Sequence, residues 1–128
     1  MKPHILLVED NPDHVALIQR AFEQSAVQIT ATSSLHEARQ LLATQSFDLI
    51  ICDLYMPDGR SDELLAITDT DVPLPVVLMT GHGDEQTAVA ALKAGALDYV
   101  VKTPATLLEL PRIAERALRE RRLFIERQ

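Results

Sequence analysis

Five side chains stand directly after short apolar runs and are of types able to do chemistry together. Glu9 and Asp10 follow Ile5–Val8, Asp53 follows Leu49–Cys52, Thr80 follows Val76–Met79, and Lys102 follows Tyr99–Val101. If those runs are neighbouring strands, three carboxylates, a hydroxyl and an ammonium meet at one edge. At an effective dielectric near 20, each carboxylate pair about 4–5 Å apart costs on the order of 3–4 kcal/mol. Such a cluster persists only with a bound cation or by protonation. Hard oxygen donors with open positions suit Mg²⁺, which keeps several waters and binds through a few carboxylates plus a phosphate ligand. Lys102 adds a point charge from the opposite side, and Thr80 a hydroxyl that donates to an anionic oxygen. The sum is a phosphoryl-transfer site, with Asp53 as oxygen nucleophile and an aspartyl phosphate as product.

The elements that must position these groups are legible as alternating short apolar and longer amphipathic stretches. The strands expected are Ile5–Val8, Val27–Ala31, Leu49–Cys52, Val76–Met79 and Tyr99–Val101. Three are nearly continuous in Val, Ile and Leu, as in parallel strands covered on both faces. The first helix opens at Asn11-Pro12, an N-cap residue followed by proline. The second starts near Ser33 or Ser34, and the third runs from about Ser61 through Ile67. The fourth begins near Asp84 and stops at Gly95, a good residue just past a helix end. The fifth begins near Pro111 and runs to about residue 126. Repeated strand–helix units with right-handed crossovers predict an α/β fold, (βα)5, with a doubly wound five-stranded parallel sheet. Ligands of such sheets bind beyond the carboxyl ends of the strands, at the topological switch point.

Four stretches carry a family resemblance over essentially the whole chain. They are Ile-Leu-Leu-Val-Glu-Asp-Asn from Ile5, Asp-Leu-Ile-Ile-Cys-Asp-Leu-Tyr-Met-Pro-Asp-Gly from Asp48, Val-Leu-Met-Thr-Gly-His-Gly from Val77, and Lys-Ala-Gly-Ala-Leu-Asp-Tyr-Val-Val-Lys from Lys93. In this order and spacing the chain resembles the receiver domain of bacterial two-component response regulators. The resemblance implies a flavodoxin-like receiver fold and transfer of a phosphoryl group to Asp53 from a partner histidine kinase or phosphotransfer protein. It also implies Mg²⁺ held by Asp10, Asp53 and the backbone carbonyl of Tyr55, with Glu9 binding directly or through water. Thr80 and Lys102 would contact the phosphoryl oxygens. Tyr99 stands at the family's switch-aromatic position, its ring turning inward as Thr80 moves toward the phosphate. Such a contact biases a two-state surface made of the fourth helix, fifth strand and fifth helix. That surface would meet a downstream protein target or output domain, and a homodimer through it is compatible with the sequence.

Departures from the family pattern are informative. Lys102 is followed by Thr103, with Pro104 one place later. A cis bond before Thr103 would cost roughly 3 kcal/mol, so a trans bond and an altered approach to the last helix are expected. Glu9 lengthens one acidic arm relative to the commoner aspartate. Arg60 sets a cation near the mouth of the site, and His82, two residues past Thr80, stands where it could influence water attack on a phosphoaspartate. Both are candidate modulators.

Composition bounds the rest. The 128 residues carry 19 acids and 12 bases, a net charge of −7, which argues against direct nucleic-acid binding. No apolar run approaches the roughly 18 residues of a membrane span, and the start lacks a signal-peptide pattern. One domain over 1–128 in the cytoplasm is expected, with the last helix leading toward a linker. The single Cys52 excludes an intrachain disulfide and reads as a small core residue. His4, His14 and His36 lack metal-ligand spacing and read as surface or boundary residues. The arginine- and glutamate-rich end reads as a solvated helical face.

Rival functions are weaker. A haloacid-dehalogenase-like phosphatase would need an aspartate two residues after the nucleophile, where Tyr55 stands. A flavin carrier would need a phosphate loop after the first strand, and Glu9-Asp10 would repel that phosphate. The expected protein is a phosphorylation-controlled binding module rather than a metabolic enzyme. It is either self-standing, a receiver piece of a larger regulator or hybrid kinase, or a non-phosphorylated docking receiver.

Overall fold

Unbroken runs of Val, Ile and Leu can be buried only if both faces of the sheet are covered, and this one is. The computed structural model describes residues 2–68 and 71–127. In chain order the elements are β1 (His4–Val8), α1 (Pro12–Ala21), β2 (Gln28–Thr32), α2 (Leu35–Thr44) and β3 (Leu49–Asp53). A small hairpin of β4 (Tyr55–Met56) and β5 (Gly59–Arg60) follows. A 3₁₀ turn at Ser61–Leu64 then leads into α3 (Leu65–Thr68). The chain continues through β6 (Val76–Thr80), α4 (Glu85–Lys93), β7 (Asp98–Val101), α5 (Pro104–Leu108) and α6 (Leu110–Glu126). The main sheet has the order β2-β1-β3-β6-β7, with every neighbouring pair parallel. This is the doubly wound arrangement the sequence predicts, with its switch point between β1 and β3.

Alternation along each strand sorts the core into two layers. Leu6, Val8, Ile50, Cys52 and Leu78 pack with Leu35 and Ala38 of α2, Leu65 of α3 and Ala91 of α4. Ile5, Leu7, Ile51, Val77 and Met79 pack with Ile18 of α1, Leu107 of α5 and Ala114 of α6.

The helix ends follow local chemistry. Asn11 caps α1 by accepting from the Asp13 amide, and Ser34 caps α2 by accepting from the Glu37 amide. Past α4, Gly95 at φ +120° lets its own amide reach the Leu92 carbonyl and the Ala96 amide reach that of Ala91.

Several boundaries differ from expectation. The edge strand β2 is shifted one residue onward, to Gln28–Thr32, because the Gln28 amide bonds the Pro3 carbonyl and sets the register. The third helix is half 3₁₀. The final helical region begins at Pro104 rather than near Pro111, because Thr103 and Thr106 form a reciprocal capping box in front of α5. Pro111 has no amide proton to continue that ladder, so the chain breaks at Glu109 and restarts as α6.

At the rear of the sheet, away from the strand ends singled out above, Asp48 clamps two segments. One carboxylate oxygen accepts from the His4 amide at 2.8 Å and the other from Arg121 of α6 at 2.8 Å.

Candidate functional site

Parallel register alone gathers the chemistry-bearing residues. Val8 pairs with Cys52, so Glu9 and Asp53 emerge side by side where β1 and β3 end. Thr80 pairs with Val101, which delivers Lys102 one step beyond the end of β6. Its amide bonds the Thr80 carbonyl at 2.7 Å. Ligand oxygens of Glu9, Asp10 and Asp53 all lie within 4.8 Å of one another. The expected convergence of three carboxylates is therefore present.

Glu9 is the deepest member, its side chain fully buried. One carboxylate oxygen accepts from the Asn11 amide at 3.1 Å, and the other from Lys102 Nζ at 2.6 Å. The same Nζ reaches Asp53 Oδ2 at 3.0 Å. Lys102 thus bridges the buried acid and the half-buried one, while Asp10 is exposed at the rim. Burial pushes the Asp53 carboxyl above its ordinary pKa. The Lys102 hydrogen bond opposes that rise and the Glu9 charge adds to it. For Lys102, burial disfavours the charge, but hydrogen bonds to Glu9 and Asp53 outweigh it and raise its pKa. Asp53 thus holds its proton more tightly than an exposed carboxyl would.

The donor set tests what it could hold. Three carboxylates supply only hard oxygens, without a thiolate, matching Mg²⁺-class ions rather than zinc or copper. The net charge of the three acids is only partly balanced by one lysine, leaving the cluster suited to a divalent cation.

The remaining expected residues are placed less directly. Thr80 is buried, and its hydroxyl is aimed at the Val100 carbonyl at 3.4 Å. Tyr99 is half-buried on β7, packed against the core layer under α4. Tyr55 opens the hairpin two residues past Asp53. His82 is exposed in the loop after β6. Arg60 is exposed, and both of its guanidinium contacts go to Asp62, at 2.5 and 3.2 Å. It is engaged sideways rather than left free over the site. The Lys102–Thr103 bond is trans, as expected: among the described residues no peptide bond is cis.

Residues that sequence reasoning passed over support the site. Ser61 is fully buried, and its hydroxyl donates to the backbone carbonyl of Asp53. Asp58 accepts from the Leu35 and His36 amides at 3.0 Å each, tying the hairpin to the start of α2. Those two bonds hold its carboxyl below the usual range. Thr106, besides its capping role, donates to the Val101 carbonyl just before Lys102. The Thr103-Pro104 pair could have been found, since it repeats the Asn11-Pro12 signal; Ser61 and Asp58 carry no local signal. His14 lies nearer the site than its spacing suggested, with Nδ1 3.6 Å from Glu9 Oε1.

An α/β sheet with an acid-and-lysine cluster at its switch point defines the class: a doubly wound protein with a candidate cation and phosphoryl site. The model of the response regulator receiver domain matches residues 5–111, and the chain belongs to that family, the receiver domains of two-component signalling. It is similar to the methanogenesis regulatory protein FilR1 of Methanothrix harundinacea, 36% identical over 121 residues, covering 89% of this chain and 27% of that protein. It is also similar to the response regulator protein PilR of Pseudomonas aeruginosa, 36% identical over 117 residues, covering 91% and 26%. The chain therefore spans about a quarter of the length of these curated relatives. A solved signal receiver domain from Vibrio parahaemolyticus, described as that of a Luxo repressor protein, aligns at a TM-score of 0.89. It is 26% identical, and the alignment covers 100% of this chain and 98% of that one. The phosphatase and flavin-carrier readings give way to this family.

Proposed function

We propose that this receiver takes a phosphoryl group on Asp53 from the phosphohistidine of a partner kinase or phosphotransfer protein, in a Mg²⁺-dependent reaction. The observation that carries the reading is the Lys102 ammonium bridging Glu9 and Asp53 inside a cluster of three acids. Glu9, Asp10, Asp53 and the Tyr55 carbonyl would hold the ion, which supplies charge neutralisation for the equatorial phosphoryl oxygens. An Asp53 carboxylate oxygen attacks phosphorus as the P–N bond breaks, and the electron pair returns to the donor imidazole. Lys102 turns from Asp53 toward a phosphoryl oxygen, and the Thr80 hydroxyl leaves the Val100 carbonyl to donate to another. The released space beside β6 admits the Tyr99 ring and changes the face made by α4, β7 and the following helices.

In this reading the chain is one receiver unit acting in the cytoplasm, with α6 leading toward a linker. Its altered face meets a downstream protein or output domain, as the relatives' greater length supports, or a second copy. Its reactivity is limited to its own phosphorylation and dephosphorylation, with His82 and Arg60 as modulators of lifetime. Direct nucleic-acid or membrane binding forms no part of it; among the described residues no helix is long and apolar enough to cross a membrane.

Incubation with acetyl phosphate and Mg²⁺ followed by intact mass tests the proposal. One added phosphoryl group is expected, absent in Asp53→Asn and without the metal. Failure of the wild type with both acetyl phosphate and a phosphohistidine donor would leave only the docking-receiver reading.

A further inference from the structure

Glu9 is a fully buried carboxylate whose two oxygens are each served by one donor, the Asn11 amide on Oε2 and Lys102 on Oε1. The proposed reaction calls Lys102 away. A buried carboxylate oxygen stripped of its donor is costly, and folded proteins almost always supply another partner. A group within reach of Oε1 is the His14 imidazole, in the first turn of α1, with Nδ1 3.6 Å away. That nitrogen is itself shielded from solvent and has no hydrogen-bond partner among the described residues. At 3.6 Å it is one small ring adjustment short of a hydrogen bond.

We propose that His14 is a positioning residue which takes over Glu9 Oε1 through its Nδ1–H when Lys102 swings to the phosphoryl group. The two donors alternate on one acceptor. With Lys102 inward, Glu9 is held by lysine and His14 Nδ1 is idle; with Lys102 outward, the imidazole keeps the Glu9 carboxylate directed at the cation. The exchange calls only for a hydrogen on Nδ1, which either form of the ring can present. Donors behind a metal-binding side chain commonly set affinity or activity by 10–100-fold.

The inference rests on the proposed phosphoryl transfer, and the test separates the two. Selective ¹⁵N labelling of the histidines reads His14 Nδ1 directly, in the resting wild type, after acetyl phosphate with Mg²⁺, and in unphosphorylated Lys102→Met. Expected is an Nδ1–H that becomes hydrogen-bonded and protected from exchange in the last two states. If acetyl phosphate does not modify the protein, the Lys102→Met arm still decides, because it vacates Glu9 Oε1 without a phosphoryl group. If Lys102→Met does not fold, substitutions at His14 decide through the apparent Mg²⁺ affinity of phosphoryl gain from acetyl phosphate, the reaction in which Lys102 leaves Glu9. His14→Leu should weaken that affinity roughly tenfold. His14→Asn, whose amide falls where Nδ1 was, should restore most of it, and His14→Gln, which mimics Nε2, should not. An Nδ1 resonance unchanged in every state overturns the proposal, as does equal behaviour of the Leu and Asn variants.

Discussion

Replacing Lys102 by methionine keeps most of the side-chain volume and removes the charge that reconciles Glu9 with Asp53. The lysine side chain is 14% exposed, and its contacts of 2.6 and 3.0 Å go to acids that are 0% and 17% exposed. Breaking a buried pair by removing one partner costs on the order of 3–5 kcal/mol. A second route gives a similar size: acid oxygens up to 4.8 Å apart repel by about 3.5 kcal/mol per pair at an effective dielectric of 20. Asp53 can escape that repulsion by protonating, so its folded-state pKa, already raised by burial, rises further above the unfolded one. A raised carboxyl pKa means that stability is retained below the unfolded value and lost as pH climbs to the folded one. The deficit of Lys102→Met against wild type should therefore be about 3 kcal/mol near pH 7.5 and at most half of that near pH 5. Urea unfolding in EDTA at both pH values measures it. Added Mg²⁺ should stabilise the variant more than the wild type, since the ion no longer competes with an ammonium. A deficit equal at both pH values and indifferent to Mg²⁺ would falsify the electrostatic account of the site.

Further outcomes follow from the supporting contacts. Ser61→Ala removes the hydroxyl donor from the part-buried Asp53 carbonyl; a loss of about 1 kcal/mol and a slower gain of phosphoryl mass are expected, against no change if the bond is idle. Asp58→Ala should abolish slow hydrogen exchange at the Leu35 and His36 amides while leaving the β1–β3 pairing protected, read by exchange mass spectrometry. Thr103→Val removes one half of the capping box and should lower stability by about 1 kcal/mol, visible as an earlier urea midpoint. Burial, reinforced by the Asp53 charge and opposed by the Ser61 hydrogen bond, pushes the Cys52 thiol up to about 12. The unfolded thiol ionises near pH 8.5–9. Stability should thus fall by about 1.4 kcal/mol per pH unit from there toward the folded value. In alkaline denaturation Cys52→Ala should show a shallower slope than wild type by that amount, and parallel slopes would contradict the burial argument.

The chemistry-bearing residues were legible because they stand at ends of unmistakable strands. Once Leu49–Cys52 reads as a parallel strand, Asp53 must lie at its carboxyl edge, and the register brings Glu9 beside it. Thr80 and Lys102 follow by the same logic. What escaped was whatever depends on the path of the chain between strands. The hairpin after Asp53 folds onto the start of α2, across more than twenty residues of sequence, so the Asp58 contact has no local pattern. The pointing of a hydroxyl, as at Thr80 and Ser61, is likewise decided by tertiary neighbours. The early start of α5 was different: an N-cap threonine before proline was in view, but Pro111 supplied a competing helix start seven residues on.

The Asp48 clamp bears on where the molecule can yield. By binding β1 through the His4 amide and α6 through Arg121, it bolts the longest helix to the hind margin of the sheet. Like a stitch in a book's spine, it joins strand and helix at the margin opposite the acids and the lysine, a tether that any shift of α6 along the sheet would have to break.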